Sequence, residues 1–132
     1  MAREFLEGKW QAERSFSPAV VTGSAGRTVW LAGHGGLFDE NHDMLKGDFD
    51  AQVRQAFANI AATLTSVGAS LADIVSMTVY IGDTRHGDRF VELRKEYFPK
   101  NFPASTLVTV TGFAKPEMLV EITPVAVVDA EA

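Results

Sequence analysis

The sequence predicts an α+β domain: a mixed β-sheet with two helices on one face and self-association through the other. Three observations carry this. Phe49, Val53, Phe57, Ile60, Leu64 and Val67 step by four, four, three, four and three, the single apolar stripe of an amphipathic helix. Runs rich in β-branched residues stand before and after it, and a second helical stretch interrupts them, so the order is strands, helix, strand, helix, strands. The last run is apolar on both sides, with Val120, Ile122, Ala126 and Val128 pointing one way and Leu119, Val125 and Val127 the other. Two helices cover only one face of such a sheet. A bare apolar face of roughly several hundred Å2 is unusual on a soluble monomer, so closed self-association is expected. The alternative is that the N-terminal segment or a loop covers that face.

Taken in order, Ala19-Val20-Val21 and Thr28-Val29-Trp30-Leu31 flank Gly23-Ser24-Ala25-Gly26 and read as a hairpin. Gly33-His34-Gly35-Gly36 opens a loop running to about Gly47. Asp48 is the expected N-cap of the first helix, because its carboxylate can accept from unpaired first-turn amides, and Gly68 the residue that ends it. After a turn at Ser70-Leu71-Ala72-Asp73, a strand is expected over Ile74 to Ile81, with Val75, Met77, Val79 and Ile81 on one face and Ser76, Thr78 and Tyr80 on the other. A second helix is expected from near Asp88 to Phe98, burying Phe90, Leu93 and Tyr97 and closed by Pro99. Strands over Thr106 to Thr111 and Leu119 to Val128 then read as a second hairpin through Lys115-Pro116-Glu117. No repeat, low-complexity tract or linker divides residues 1–132, so one domain is expected.

Composition narrows the function. With 46% hydrophobic and 22% charged residues the 132-residue chain is of ordinary globular make-up. It holds no cysteine, which excludes disulfides, thiolate metal sites and thiol nucleophiles. The net charge of −5 and the lack of a basic run argue against nucleic acid as a partner. No apolar run approaches the roughly 20 residues of a membrane helix, and Met1 to Trp10 has no apolar core of a secretory signal. A cytoplasmic location away from membranes is the expectation.

Glu121 is the most informative single residue. A carboxylate in the apolar run Met118-Leu119-Val120-Glu121-Ile122-Thr123 must be paired, hydrogen-bonded, protonated or near water. In a cleft it is a candidate acid or base; otherwise it is a rim carboxylate holding an arginine or an amide. The Gly33–Gly36 loop does not match phosphate-binding fingerprints, though glycines let backbone approach a ligand. His34 and His86 are possible proton carriers, but no metal-ligand spacing surrounds them and no metal is expected. Arg85-His86-Gly87-Asp88-Arg89 is either a solvated helix start or a carboxylate-binding cluster. Ser105 and Thr106 lack the setting of a nucleophile; Ser105 is a reasonable hydrogen-bond donor to a ligand.

Asp73-Ile74-Val75, Thr78-Val79-Tyr80, Glu96-Tyr97-Phe98, Phe102-Pro103-Ala104 and Val120-Glu121-Ile122 together resemble the RidA (YjgF) family of reactive-intermediate imine deaminases, over about Phe16 to Val128. The resemblance implies a chorismate-mutase-like fold and a homotrimer whose sheets pack into a central barrel, with small-molecule clefts between subunits. It implies hydrolysis of enamines or imines such as 2-aminoacrylate to keto acids and ammonia, without a cofactor. In the family an arginine after Pro-Ala clamps the substrate carboxylate, and the glutamate of Val-Glu-Ile is thought to help position the water. Here the arginine position holds Ser105, which cannot make a bidentate charged pair. Leu107 stands where cysteine is frequent, Phe16 where tyrosine is, Val91 where asparagine is, and Ala32-Gly33-His34 replaces Ser-Gly-Gln.

Glu121 and His34 are therefore the expected catalytic pair, with Phe16, Gly33, Val91, Ser105, Thr106 and Leu107 binding substrate in a more apolar cleft that favours an aromatic or neutral compound. Loss of a charged clamp costs roughly 2–5 kcal/mol if nothing replaces it, so weak or absent activity on 2-aminoacrylate is expected. The alternatives are a non-catalytic trimeric binding module and, least favoured, a ribonuclease.

Overall fold

The computed structural model describes residues 3–23 and 26–129. Two sheets and three α-helices form it. Strands β1 (Arg3–Phe5) and β2 (Val20–Thr22) make a small antiparallel sheet, with helix α1 (Lys9–Glu13) between them in the chain. Strands β3 (Arg27–Trp30), β4 (Ile74–Ile81), β5 (Ala104–Thr109) and β6 (Val120–Val128) make the main sheet in the order β3-β6-β4-β5. Helices α2 (Phe49–Ser66) and α3 (Gly87–Lys95) pack on one face of it.

The periodic segments fold as their patterns require. Phe49, Val53, Phe57, Ile60 and Leu64 of α2 are buried. Val67 is not: it is the C-cap and 39% exposed, because the helix turns away before Gly68 at φ +77°. Asp48 Oδ1 accepts from the Ala51 amide at 3.0 Å, as the N-cap assignment expects. Asp48→Ala should therefore lower stability by about 1 kcal/mol, read from the midpoint of urea unfolding. Strand β4 alternates as expected from Ser76 to Ile81, with Met77, Val79 and Ile81 against the helices, but a bulge between Ile74 and Ser76 gives the first core position to Ile74 rather than to the expected Val75.

Both expected hairpins are wrong. Strand β2 pairs with β1 and β3 with β6, so the strands on either side of Gly23–Gly26 belong to different sheets; Ser24 and Ala25 lie outside the described residues. Strand β5 runs parallel to β4, with α3 as the crossover a parallel pair needs, and β6 lies antiparallel on the other side of β4. Lys115-Pro116-Glu117 does form a turn, closed by the Met118 amide donating to the Lys115 carbonyl at 3.2 Å, but it lies in a segment that carries the chain across the end of β4 rather than between paired strands. It places β6 at the centre of the sheet, which is why that strand is apolar on its helix side throughout.

At the heart of the core Phe57 stacks on Tyr97 at 4.5 Å and contacts Phe98 at 5.9 Å and Phe90 at 6.2 Å between ring centroids. Polar side chains share the interior, Gln52 among them. Gln52 is fully buried on α2; its amide nitrogen donates to the Leu45 and Glu117 carbonyls and its amide oxygen accepts from the Leu119 amide. No helix among the described residues is long and apolar enough to cross a membrane.

The opposite sheet face carries Thr28 and Trp30, Glu121, Thr123 and Val125, then Thr78 and Tyr80, then Thr106 and Val108, by strand register. No helix among the described residues packs on it. Trp30 is 77% exposed there, beside half-buried Val125, and half-buried Tyr80 and exposed Val108 lie further along the same face.

Candidate functional site

Glu121 lies on this open face because its neighbours Val120 and Ile122 are spent on the core. It sits opposite Tyr80 in the β4–β6 register, in a basin of about 320 Å3 walled by Gly33, Phe113, Gly112 and Thr123. The side chain is half-buried, and its carboxylate takes no hydrogen bond or ion pair from the described residues. Gly33 lies directly under it: a Cβ there would overlap Glu121 Oε2 and press on its Cδ and Cγ. Gly33→Val should thus displace the carboxylate while costing little in stability, since the displaced atoms are the free end of a flexible side chain. Turnover or ligand affinity should fall with a melting temperature close to wild type, which paired activity and thermal-melt measurements would show.

A second group of the expected residues gathers on the other side of the sheet. Ser105 and Leu107 alternate with Thr106 along the edge strand β5, and Ser105 and Leu107 face the helices. Val91 is buried on α3, the helix whose Arg94 reaches Ser105 and whose Gly87 faces Leu107, and its carbonyl accepts from Ser15 Oγ at 3.0 Å. Phe16 follows Ser15, rests edge-on against Trp10 at 5.6 Å, and is held next to β5 by the bridge between Ser17 and Ala104. Thr106, with its side chain on the open face opposite Thr78, is separated from Ser105 and Leu107.

Behind this corner lies a residue that sequence reasoning missed. Arg94 is 2% exposed. Its Nη1 donates to Ser105 Oγ at 2.6 Å, Nε to Ser15 Oγ at 3.1 Å and Nη2 to the Arg14 carbonyl at 3.0 Å. The guanidinium also lies 5.1 Å from the Phe90 ring centre and contacts Met77 Sδ at 3.8 Å. Burial, with Arg14 nearby, lowers its pKa to about 10, so it stays cationic at neutral pH. The signal was present: Phe90, Leu93, Arg94 and Tyr97 stand at the i, i+3, i+4, i+7 spacing of one helical face in the sequence, which places a charge on a buried face.

The other expected residues are placed elsewhere. His34 pairs with Ile122 in the sheet and so points to the helix side, away from Glu121. Its Nδ1 lies 2.7 Å from the Ala32 carbonyl and must donate; Nε2 lies 2.9 Å from Thr63 Oγ1, a hydroxyl that can donate or accept. Both nitrogens are spent on structure, and the pairing of His34 with Glu121 as proton carriers within one chain fails because the strand register sets them on opposite faces. Arg85 pairs with Asp83, and Arg89 with Asp50 and Glu92, which is the solvated-helix-start reading of that cluster. His86 stacks on Phe49 at 4.1 Å. A larger cavity, about 620 Å3, lies between the N-terminal segment and residues 99–102; of the expected set it includes only Phe16.

Glu121 and Ser105 are thus on opposite faces and two strands apart in one chain. The sequence profile of the family described as Endoribonuclease L-PSP matches residues 7–128, nearly the whole of this arrangement. The chain belongs to that family. It is the RidA (YjgF) grouping that the sequence motifs resemble. Within the family, 3-aminoacrylate deaminase RutC of Acinetobacter baylyi is 34% identical over 111 residues, 83% of this chain and 86% of the relative. The 2-iminobutanoate/2-iminopropanoate deaminase of Dermatophagoides farinae is 28% identical over 118 residues, 89% of this chain and 91% of the relative. A Rid-family protein of unknown function from Yersinia pestis, YyfB, superimposes with a TM-score of 0.84 at 26% identity, covering 97% of this chain and all of its own.

Proposed function

We propose that this RidA-family chain is a cofactor-independent hydrolase of a small imine or enamine, working in clefts where the Glu121 basin of one subunit meets the Ser105 corner of the next in a homotrimer. The observation that carries the reading is Glu121 itself: a carboxylate fixed on a strand over Gly33, with no partner among the described residues to occupy it. Such a group can take a proton from a water attacking the C=N carbon and return it to nitrogen. The carbinolamine then collapses to a carbonyl and ammonia, so that imine plus water gives ketone or aldehyde plus ammonia. An enamine enters the same route after tautomerising to the imine.

The division of the expected site between two sheet faces supports the trimer, because only a second subunit can bring Glu121 and Gly33 opposite Phe16, Val91, Ser105 and Leu107. Thr106 would contribute through the exposed edge of β5. His34 has a scaffolding part in this reading. The chain is assigned to a branch without the clamping arginine, weak or inactive on 2-aminoacrylate, cytoplasmic, with neither nucleic acid nor membrane as partner.

Ammonia release from imines generated in situ by an amino-acid oxidase tests the reaction, and sedimentation at micromolar concentration tests the trimer. Turnover of at least one imine faster than its spontaneous hydrolysis is expected; no turnover, or single chains in sedimentation, overturns the reading. A second reading, a trimeric binding protein without catalysis, draws on Ser105 standing where the charged clamp would be. It predicts ligand-induced melting shifts without turnover.

A further inference from the structure

Arg3, Arg14, Arg54, Arg85 and Arg89 each pair with a carboxylate. Arg94, fully buried, pairs with none among the described residues; its partners are two hydroxyls, a carbonyl and a thioether. A buried cation with only neutral partners is left short of negative charge. The two hydroxyls differ in one respect. Ser15 Oγ lies in hydrogen-bond range of the Arg14 and Val91 carbonyls, so its proton is committed. Ser105 Oγ accepts from Arg94, and no acceptor among the described residues takes its proton. Ser105 is also only half-buried, on the edge strand, whereas the guanidinium behind it is sealed.

We infer that Arg94 acts through Ser105 as a positioning residue that gives the corner a preference for a monocarboxylate: the Ser105 hydroxyl donates to the ligand, and the guanidinium behind it supplies the charge. A hydroxyl that accepts from a cation is polarised into a better donor. A carboxylate on Ser105 Oγ stands roughly 5 Å from the guanidinium, two hydrogen-bond lengths away, at a depth where water screens the charge weakly. Val91 and Leu107 supply the apolar wall for the rest of the molecule. The inference rests on the Ser105 corner being the ligand site, and it replaces the expectation of a neutral or aromatic ligand with that of an anionic one. The hold is looser than a direct bidentate clamp, because one hydroxyl offers one hydrogen bond.

The test compares propanoate with its neutral isostere propanamide by ligand-observed NMR on the intact protein. Wild type should prefer propanoate by about ten-fold or more. Arg94→Met, near in length and without charge, and Ser105→Ala should each bring the ratio towards one, while Arg94→Lys keeps part of it. A merely structural Arg94 would change both affinities together and leave the ratio alone. A wild-type ratio near one, or a ratio that survives in Arg94→Met or Ser105→Ala, overturns the inference. If Arg94→Met fails to give a cooperative melt, Ser105→Ala decides. The outcome is separable from the proposed reaction: carboxylate preference without ammonia release sinks the hydrolase and leaves this inference, and ammonia release without preference does the reverse.

Discussion

Glu121→Gln should cut ammonia release from the best imine substrate by roughly 10²–10⁴-fold, the usual contribution of a positioned acid or base. The protein should melt close to the wild-type temperature. Both halves follow from the setting of the side chain. The carboxylate is half-buried, faces away from the helices and has no hydrogen-bond partner among the described residues, so its charge supports nothing in the fold. Glutamine keeps the shape over Gly33 and loses only the ability to take a proton. The measurement is initial-rate ammonia production for both proteins at matched concentration, with circular dichroism melts beside it. Full turnover by Glu121→Gln would remove this residue from the chemistry and leave the binding-protein reading in its place.

Phe57→Ala should lower unfolding free energy by about 3–5 kcal/mol, against a total of about 5–15 kcal/mol for a typical domain. Phe57 has no exposed surface. It is the ring that Phe90, Tyr97 and Phe98 all contact, so it joins α2 to α3 and to the turn after α3. Three aromatic neighbours, one on α3 and two in the turn after it, are held by a helix tied to β4 and β5 and cannot close in on the space left behind, so the cavity term adds to the lost burial. Urea unfolding measures the loss. A change under about 1 kcal/mol would mean that the aromatic cluster relaxes freely.

Local patterns carried the sequence reading as far as they reach. The α2 stripe, its Asp48 cap, the alternation of β4 and the odd carboxylate of β6 were all legible, because each depends on neighbours within one turn or one strand. Pairing partners were not. Whether β5 lies beside β4 or β6 depends on a crossover helix and on a connection long enough to pass the sheet end, and neither leaves a periodic signal. The misplacement of His34 has the same origin: its side depends on the non-local pairing with Ile122. Strand β1 and helix α1 are three and five residues long and hold their shape through tertiary contacts, such as Arg3 with Asp73 at 3.0 Å, rather than through propensity. Gln52 and Arg94 were visible as polar residues on apolar stripes, but their partners lie far away in the chain.

The three-way amide of Gln52 sets a tempo for the basin around Glu121. The segment that carries Phe113 across the sheet end is fastened, at Glu117 and Leu119, to a side chain with no path to water. That segment cannot swing aside as an ordinary surface loop does in nanoseconds to microseconds; its last residues can leave only when a hydrogen bond inside the core breaks, and the breathing of the interior governs that event. A ligand therefore meets a wall whose far end is clamped from within, and its shape there is settled before the ligand arrives.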